Sequence, residues 1–147
     1  MTITQALANT ILMLSFDEGV PVTPMKLQKL MFFVYSDYLR KYDEPLFPER
    51  FQTWKYGPVL ASIYYEFNAF GANSITKFSR DAMGNVYTIK LYNNPVMDIV
   101  HSVWSRYRSL SAVELSALTH RSGSAWDIAV KAGRKYIEDE DIKNAHE

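Results

Sequence analysis

The most constraining feature of the chain is the stretch that opens with Thr23-Pro24. A threonine followed by proline spells a helix start. The hydroxyl can accept a free N–H of the first turn, and proline at the first helical position gives up only an N–H that would have no partner anyway. From there Leu27, Leu30, Met31, Val34 and Tyr38 form one apolar stripe at helical spacing, and Gln28, Phe32, Tyr35 and Leu39 form a second, largely apolar face. A helix apolar on two sides has to be surrounded by the rest of its domain. Residues 24–41 are therefore expected to be the central helix, with Lys26, Lys29, Asp37 and Arg40 along a polar edge.

The remaining segments supply what could surround it. Ile3, Leu7, Ile11 and Leu14 recur at helical spacing and predict a helix over residues 4–16, stopped by Gly19 and Pro21. Residues 42–50 read as a loop with Pro45 and Pro48. Residues 51–54 alternate as a short strand would, and Pro58 is expected to open a helix burying Leu60, Ile63, Tyr64 and Phe67, ended by Gly71. Val86-Tyr87-Thr88-Ile89-Lys90-Leu91 is β-branched and alternating after a Gly84-Asn85 turn signal, with residues 75–79 as a candidate hairpin partner. Asn94-Pro95 starts another helix to about residue 109. Ser111 and Glu114 are spaced as a capping box, and Ser124 or Asp127 begins a further short helix. The acidic tail from about residue 138 is expected to fray. The fold class expected is mainly α (α+β): a single helical domain over residues 1–147 with a small β-hairpin or short sheet.

Composition narrows the function. Cysteine is absent, which excludes disulfides, thiolate metal sites and a cysteine nucleophile. The sixteen basic and sixteen acidic residues cancel, whereas a dedicated nucleic-acid binder usually carries a basic excess. Residues 1–16 are apolar but lack the Lys or Arg of a signal peptide, and no apolar run is long enough for a membrane span. The expectation is a cytoplasmic protein with no membrane partner. Aromatics make up 14% of the chain, enough to serve both a core and an interface, including that of a homodimer.

Catalytic signatures are missing. The six glycines form no phosphate loop, and there is neither an HExxH nor a GxSxG motif. His101, His120 and His146 have no ligand spacing, so neither a metal nor a cofactor is expected. The adjacent acids at Asp17-Glu18, Asp43-Glu44 and residues 138–141 read as solvated surface. The chain is read as a non-enzyme; a hydrolase built on His120 and an acid is the weaker alternative. Arg106, Arg108, Arg121, Lys131, Arg134 and Lys135, interleaved with Trp104, Tyr107 and Trp126, give a second alternative, a nucleic-acid-binding regulator of a prophage or mobile element.

The most informative stretch is Trp54-Lys55-Tyr56-Gly57-Pro58-Val59. Two aromatics and a cation precede a Gly-Pro pair, where extended geometry is favoured before the proline. Trp54, Gly57 and Pro58 mark a fixed backbone corner. Either the corner is purely structural, or it holds Lys55 and Tyr56 at the surface as partner contacts.

The run Lys26-Leu27-Gln28-Lys29-Leu30-Met31-Phe32-Phe33 resembles the KLQKLLYF-type helix of the Panacea (SocA-like, GepA-like) antitoxin family. Residues 42–47 resemble its YG-x-PLF loop, residues 51–59 its F-x-AWKYGPV segment, and residues 64–71 its Y-x-x-F-x-x-x-G ending. Thr119-His120 with Gly123-Ser124-Ala125-Trp126 resembles its TH-x-x-x-SPW segment. The resemblance implies an antitoxin that neutralises a toxin, usually encoded next to it, by protein–protein contact, either masking it or acting as an adaptor that delivers it to a protease. It implies a helical fold with a small β element and a contact surface including Lys55, Tyr56, His120, Arg121 and Trp126. Such genes are often found in prophages and mobile elements. Two departures stand out. Ala125 replaces the family's proline, which is expected to loosen that turn. Asp43 stands where glycine is common, a site that aspartate tolerates if φ is positive.

Overall fold

The computed structural model describes residues 1–146, built from seven α-helices and a two-stranded antiparallel sheet. In chain order these are α1 (Ile3–Glu18), α2 (Pro24–Tyr42), β1 (Gln52–Trp54), β2 (Gly57–Val59), α3 (Ala61–Phe67), α4 (Pro95–Tyr107), α5 (Ala112–Thr119), α6 (Ala125–Lys131) and α7 (Asp139–Asn144). Helix α2 is the axis of the domain. It packs against α1, α3, α4, α5, α7 and β2, and it buries Leu27, Leu30, Met31, Val34 and Leu39 completely or nearly so. Its start is the one the sequence spells, with the Thr23 side chain accepting from Lys26 N and Pro24 in the first turn. It ends at Asp43, whose φ of 55° is the left-handed conformation that the loop position demands.

The polar edge expected on α2 is only half present. Asp37 and Arg40 are at the surface and pair with each other, but Lys26 and Lys29 are buried. Lys26 Nζ donates to Arg108 O at the C-terminal end of α4, so its charge meets the negative end of that helix. Lys29 runs inward to the sheet.

Pro58 does not open a helix. The Gly57-Pro58 pair is taken up by β2, which pairs with β1 in the register Gln52↔Val59, Thr53↔Pro58 and Trp54↔Gly57 around the turn Lys55-Tyr56. Helix α3 begins later, and its start is capped from elsewhere. The Gln28 amide brackets Leu60, donating to its carbonyl at 3.0 Å and accepting its N–H at 2.9 Å, while Glu49 Oε2 accepts from Ser62 N. Ile63 and Phe67 are buried as expected, but Tyr64 is exposed.

The small sheet therefore lies at residues 52–59, and the hairpin expected between residues 75–79 and 86–91 does not form a ladder. Its arms are instead tied through the fully buried Asn9 of α1. The Asn9 amide donates to Ser79 O (2.9 Å) and Tyr87 O (3.0 Å), and its Oδ1 accepts from Ser79 N (2.8 Å). Thr10 Oγ1 accepts from Ile89 N.

The acidic tail does not fray through residue 144. Residues 139–144 form α7, where Ile142 is buried and Asp141 is 4% exposed. Arg134 grips Asp141 bidentately at 2.6 and 2.7 Å, and Tyr35 of α2 donates to Asp139 at 2.7 Å. Burial alone would raise the Asp141 carboxyl, but the Arg134 guanidinium and the Glu138 N–H outweigh it and hold it below the ordinary value.

Candidate functional site: a clamped hairpin turn

The turn between β1 and β2 is held by three side chains from the far end of the chain. Trp126 Nε1 donates to Trp54 O at 2.8 Å. His120 Nε2 lies 2.7 Å from Lys55 O, with Nδ1 2.6 Å from Ser116 O. Ser116 Oγ donates to Tyr56 O at 2.6 Å. Three consecutive carbonyls of one turn are thus each met by a separate side chain of α5, its C-terminal end or α6. The His120 and Trp126 rings in turn pack against each other at a tilt, with centroids 4.1 Å apart.

Gly57 makes this close approach feasible. Its φ of +116° suits glycine, and a β-carbon there would sit 2.6 Å from Thr119 Oγ1 and 2.8 Å from Lys29 Cε. Beneath it, Lys29 is 1% exposed and its ammonium donates to Pro58 O at 3.2 Å. Burial lowers its pKa from 10.5 to about 8.

The α6 side of the clamp is fixed by Ser124. Its hydroxyl accepts from Asp127 N and donates to Thr119 O at 2.7 Å, while Asp127 also accepts from Gly123 N. The missing proline at Ala125 therefore does not loosen the turn: the N-cap hydroxyl ties both sides of it.

With its backbone held from behind, the turn presents Lys55 and Tyr56 outward. Tyr56 is 57% exposed, with Lys55 Nζ 5.4 Å from its ring centroid. A mostly apolar groove of about 420 Å³ runs alongside, lined by Pro24, Met25, Lys29, Trp54, Tyr56 and Tyr64 among others. Trp54 and Tyr64 meet edge to face across it at 4.7 Å.

The structure thus brings together Lys55, Tyr56, His120 and Trp126, although their motifs lie some sixty residues apart. Their roles differ. Lys55 and Tyr56 face solvent, whereas His120 and Trp126 are half-buried and spend their ring nitrogens on the turn. Arg121 is exposed but belongs to a different hollow of about 270 Å³, lined also by Phe33, Arg106 and Tyr107. Sequence reasoning missed Ser116, Thr119 and Lys29. For Lys29 a signal was there: three of its four helical neighbours, Met25, Phe32 and Phe33, are apolar and the fourth is Lys26, so a solvated ammonium was the less natural reading.

Of the six basic residues singled out in the C-terminal third, Arg121 and Lys135 are exposed and the other four are paired internally. Arg106 pairs with Asp37, Arg108 with Glu18, Lys131 with Asp127 and Arg134 with Asp141. That internal pairing weakens the nucleic-acid alternative, which needs cations free for phosphate. Among the described residues no helix is long and apolar enough to cross a membrane.

The helical domain thus holds one aromatic turn rigidly beside an apolar groove. The profile of the family described as "Antitoxin SocA-like, Panacea domain" matches residues 27–127, and the chain belongs to that family. It is similar to the protein named Antitoxin SocA of Caulobacter vibrioides (strain NA1000 / CB15N), 28% identical over 128 residues that cover 84% of this chain and 68% of the relative. No solved structure matches it significantly. The family match contains all of α2 but its first three residues, the hairpin and every residue of the clamp.

Proposed function

We propose that this chain is an antitoxin that neutralises a cognate toxin by direct protein–protein contact, with the hairpin turn and its groove as the contact face. The observation that carries the reading is the clamp. Ser116, His120 and Trp126 fix the carbonyls of Tyr56, Lys55 and Trp54, so Tyr56 and Lys55 are offered in a set geometry. A preformed loop avoids ordering cost on binding, and an exposed tyrosine beside an apolar groove is the usual form of an interface anchor. His120 and Trp126 act in this reading through the turn they hold. Family membership supports a toxin as the partner.

The test is co-expression with the adjacent open reading frame, followed by growth scoring and co-purification. The expected result is a neighbour that is toxic alone, harmless with this chain, and recovered bound to it. Tyr56→Ala should weaken capture by roughly 2 kcal/mol or more, as removal of an interface anchor does, while leaving the melting temperature unchanged. A Lys55→Ala, Tyr56→Ala double variant that captures and rescues as well as wild type would place the contact elsewhere. Toxin half-life in the same cells separates masking, which leaves it long, from delivery to a protease, which shortens it.

A further inference from the structure

Residues 86–91 read as a strand, yet among the described residues they have no strand to pair with. The segment runs without bend or turn from Asn85 to Lys90 after a tight turn in which Asp81 Oδ1 accepts from Met83 N and Asn85 N. Only one of its edges is used. Tyr87 O accepts from Asn9 and Ile89 N donates to Thr10, so the odd-numbered backbone groups face α1. In an extended chain the N–H and C=O of alternate residues point to opposite edges. The groups of Val86, Thr88 and Lys90 therefore point away from α1, and none of them makes a hydrogen bond within the described residues.

The segment also carries apolar surface: Tyr87 and Leu91 are each 48% exposed. A hollow of about 310 Å³ separates it from the start of α1, lined by Ile3, Ala6, Thr88 and Lys90 among others. Exposed strand edges are normally blunted by charge, proline or a cover. Here the pattern is β-branched, the outward edge bare, and the surrounding charge mostly positive. Lys77, Arg80 and Lys90 are exposed, against Glu66, which accepts from Ser79 Oγ, and Asp81, whose carboxylate is turned onto its own turn's N–H groups.

We propose that residues 86–91 are a docking edge to which the toxin adds a β-strand, one flanked by acidic residues. This rests on the antitoxin reading but uses a different face from the hairpin turn. A row of alternating donors and acceptors at two-residue spacing is matched by a strand and not by a helix. The positive flanks select an acidic strand, and they disfavour a second copy of this chain, which would bring the same cations together.

Thr88→Pro tests the edge selectively. It removes an N–H that has no partner in the free protein, and leaves Tyr87 O and Ile89 N, which hold the segment to α1, in place. The variant should melt with wild type and should bind the co-expressed toxin about ten-fold more weakly or worse. In wild type, amide exchange gives an independent readout. The Thr88 and Lys90 amides should exchange fast in the free chain and become protected in the complex, while Ile89 is protected in both. If wild type captures the toxin but Thr88→Pro captures it equally and the Thr88 amide stays fast, the strand proposal is overturned and the antitoxin reading stands. If Thr88→Pro instead abolishes a homodimer without touching toxin capture, the occupant is a second copy and the proposal is again overturned. If wild type captures no toxin, the antitoxin reading falls and the strand proposal with it.

Discussion

Replacing Lys29 by methionine should stabilise the protein at neutral pH, and the gain should disappear in alkali. Lys29 is 1% exposed, and among the described residues its ammonium has one hydrogen bond, to Pro58 O, and no carboxylate partner. Burial lowers its pKa from 10.5 to about 8. At about 1.4 kcal/mol per pH unit, that drop means the ammonium costs the folded state about 3 kcal/mol below pH 8. Methionine fills nearly the same volume without the charge. It forfeits the hydrogen bond to Pro58, worth about 1 kcal/mol, so the net gain at pH 7 is about 2 kcal/mol, or roughly 4–8 °C in melting temperature.

The sign of the pH dependence follows from the lowered folded-state value. Between about pH 8 and 10.5 the unfolded chain binds the proton that the folded chain has released, so wild-type stability rises with pH through this window. The variant has no such group. The stability difference between the two should be flat below about pH 8, shrink from there, and reverse by about 1 kcal/mol once the amine is neutral in both states. Urea denaturation of both proteins at a series of pH values measures it, and the difference cancels other titrating groups such as Lys26 and Tyr35. A difference that stays flat from pH 7 to 10.5, or a Lys29→Met protein less stable than wild type at pH 7, would refute the argument that the charge is desolvated.

Gly57→Ala should destabilise by about 2–4 kcal/mol in thermal denaturation, because the new methyl meets Thr119 and Lys29 at a φ of +116°; it should also weaken toxin capture, since the clamp sits on that turn. Asn9→Ala orphans Ser79 N, Ser79 O and Tyr87 O and should cost about 2–4 kcal/mol in denaturant titration, with Ser79 amide protection lost first. The Asp141 carboxyl is held below its ordinary value, so its contribution to stability is complete above about pH 4 and is lost as pH falls through the folded-state value. Hydrogen exchange should therefore show the Ile142 amide opening in acid before the core does, and Arg134→Ala should speed its exchange roughly ten-fold or more already at neutral pH.

The sequence by itself determined where three of the helices start. Thr23-Pro24, Asn94-Pro95 and the Ser111/Glu114 box start α2, α4 and α5 where local chemistry says they should, because a cap is a contact between residues two or three apart. The two-faced apolar pattern of α2 likewise fixed its central place, since a helix apolar on two sides has nowhere else to go. Only the tertiary structure decided what depends on partners distant in sequence. Pro58 became a strand residue because α3 draws its cap from Gln28 and Glu49 instead. The strand-like run at residues 86–91 stayed single because Asn9 and Thr10 took its inner edge. Acidic α7 folded because Arg134 and Tyr35 meet its carboxylates. The candidate site divides the same way. Trp54 to Val59 was legible as a rigid corner from its Gly-Pro pair, but the clamp joins it to Ser116, His120 and Trp126 through backbone carbonyls. Every residue carries a carbonyl, so nothing in the sequence marks which ones a distant side chain will reach.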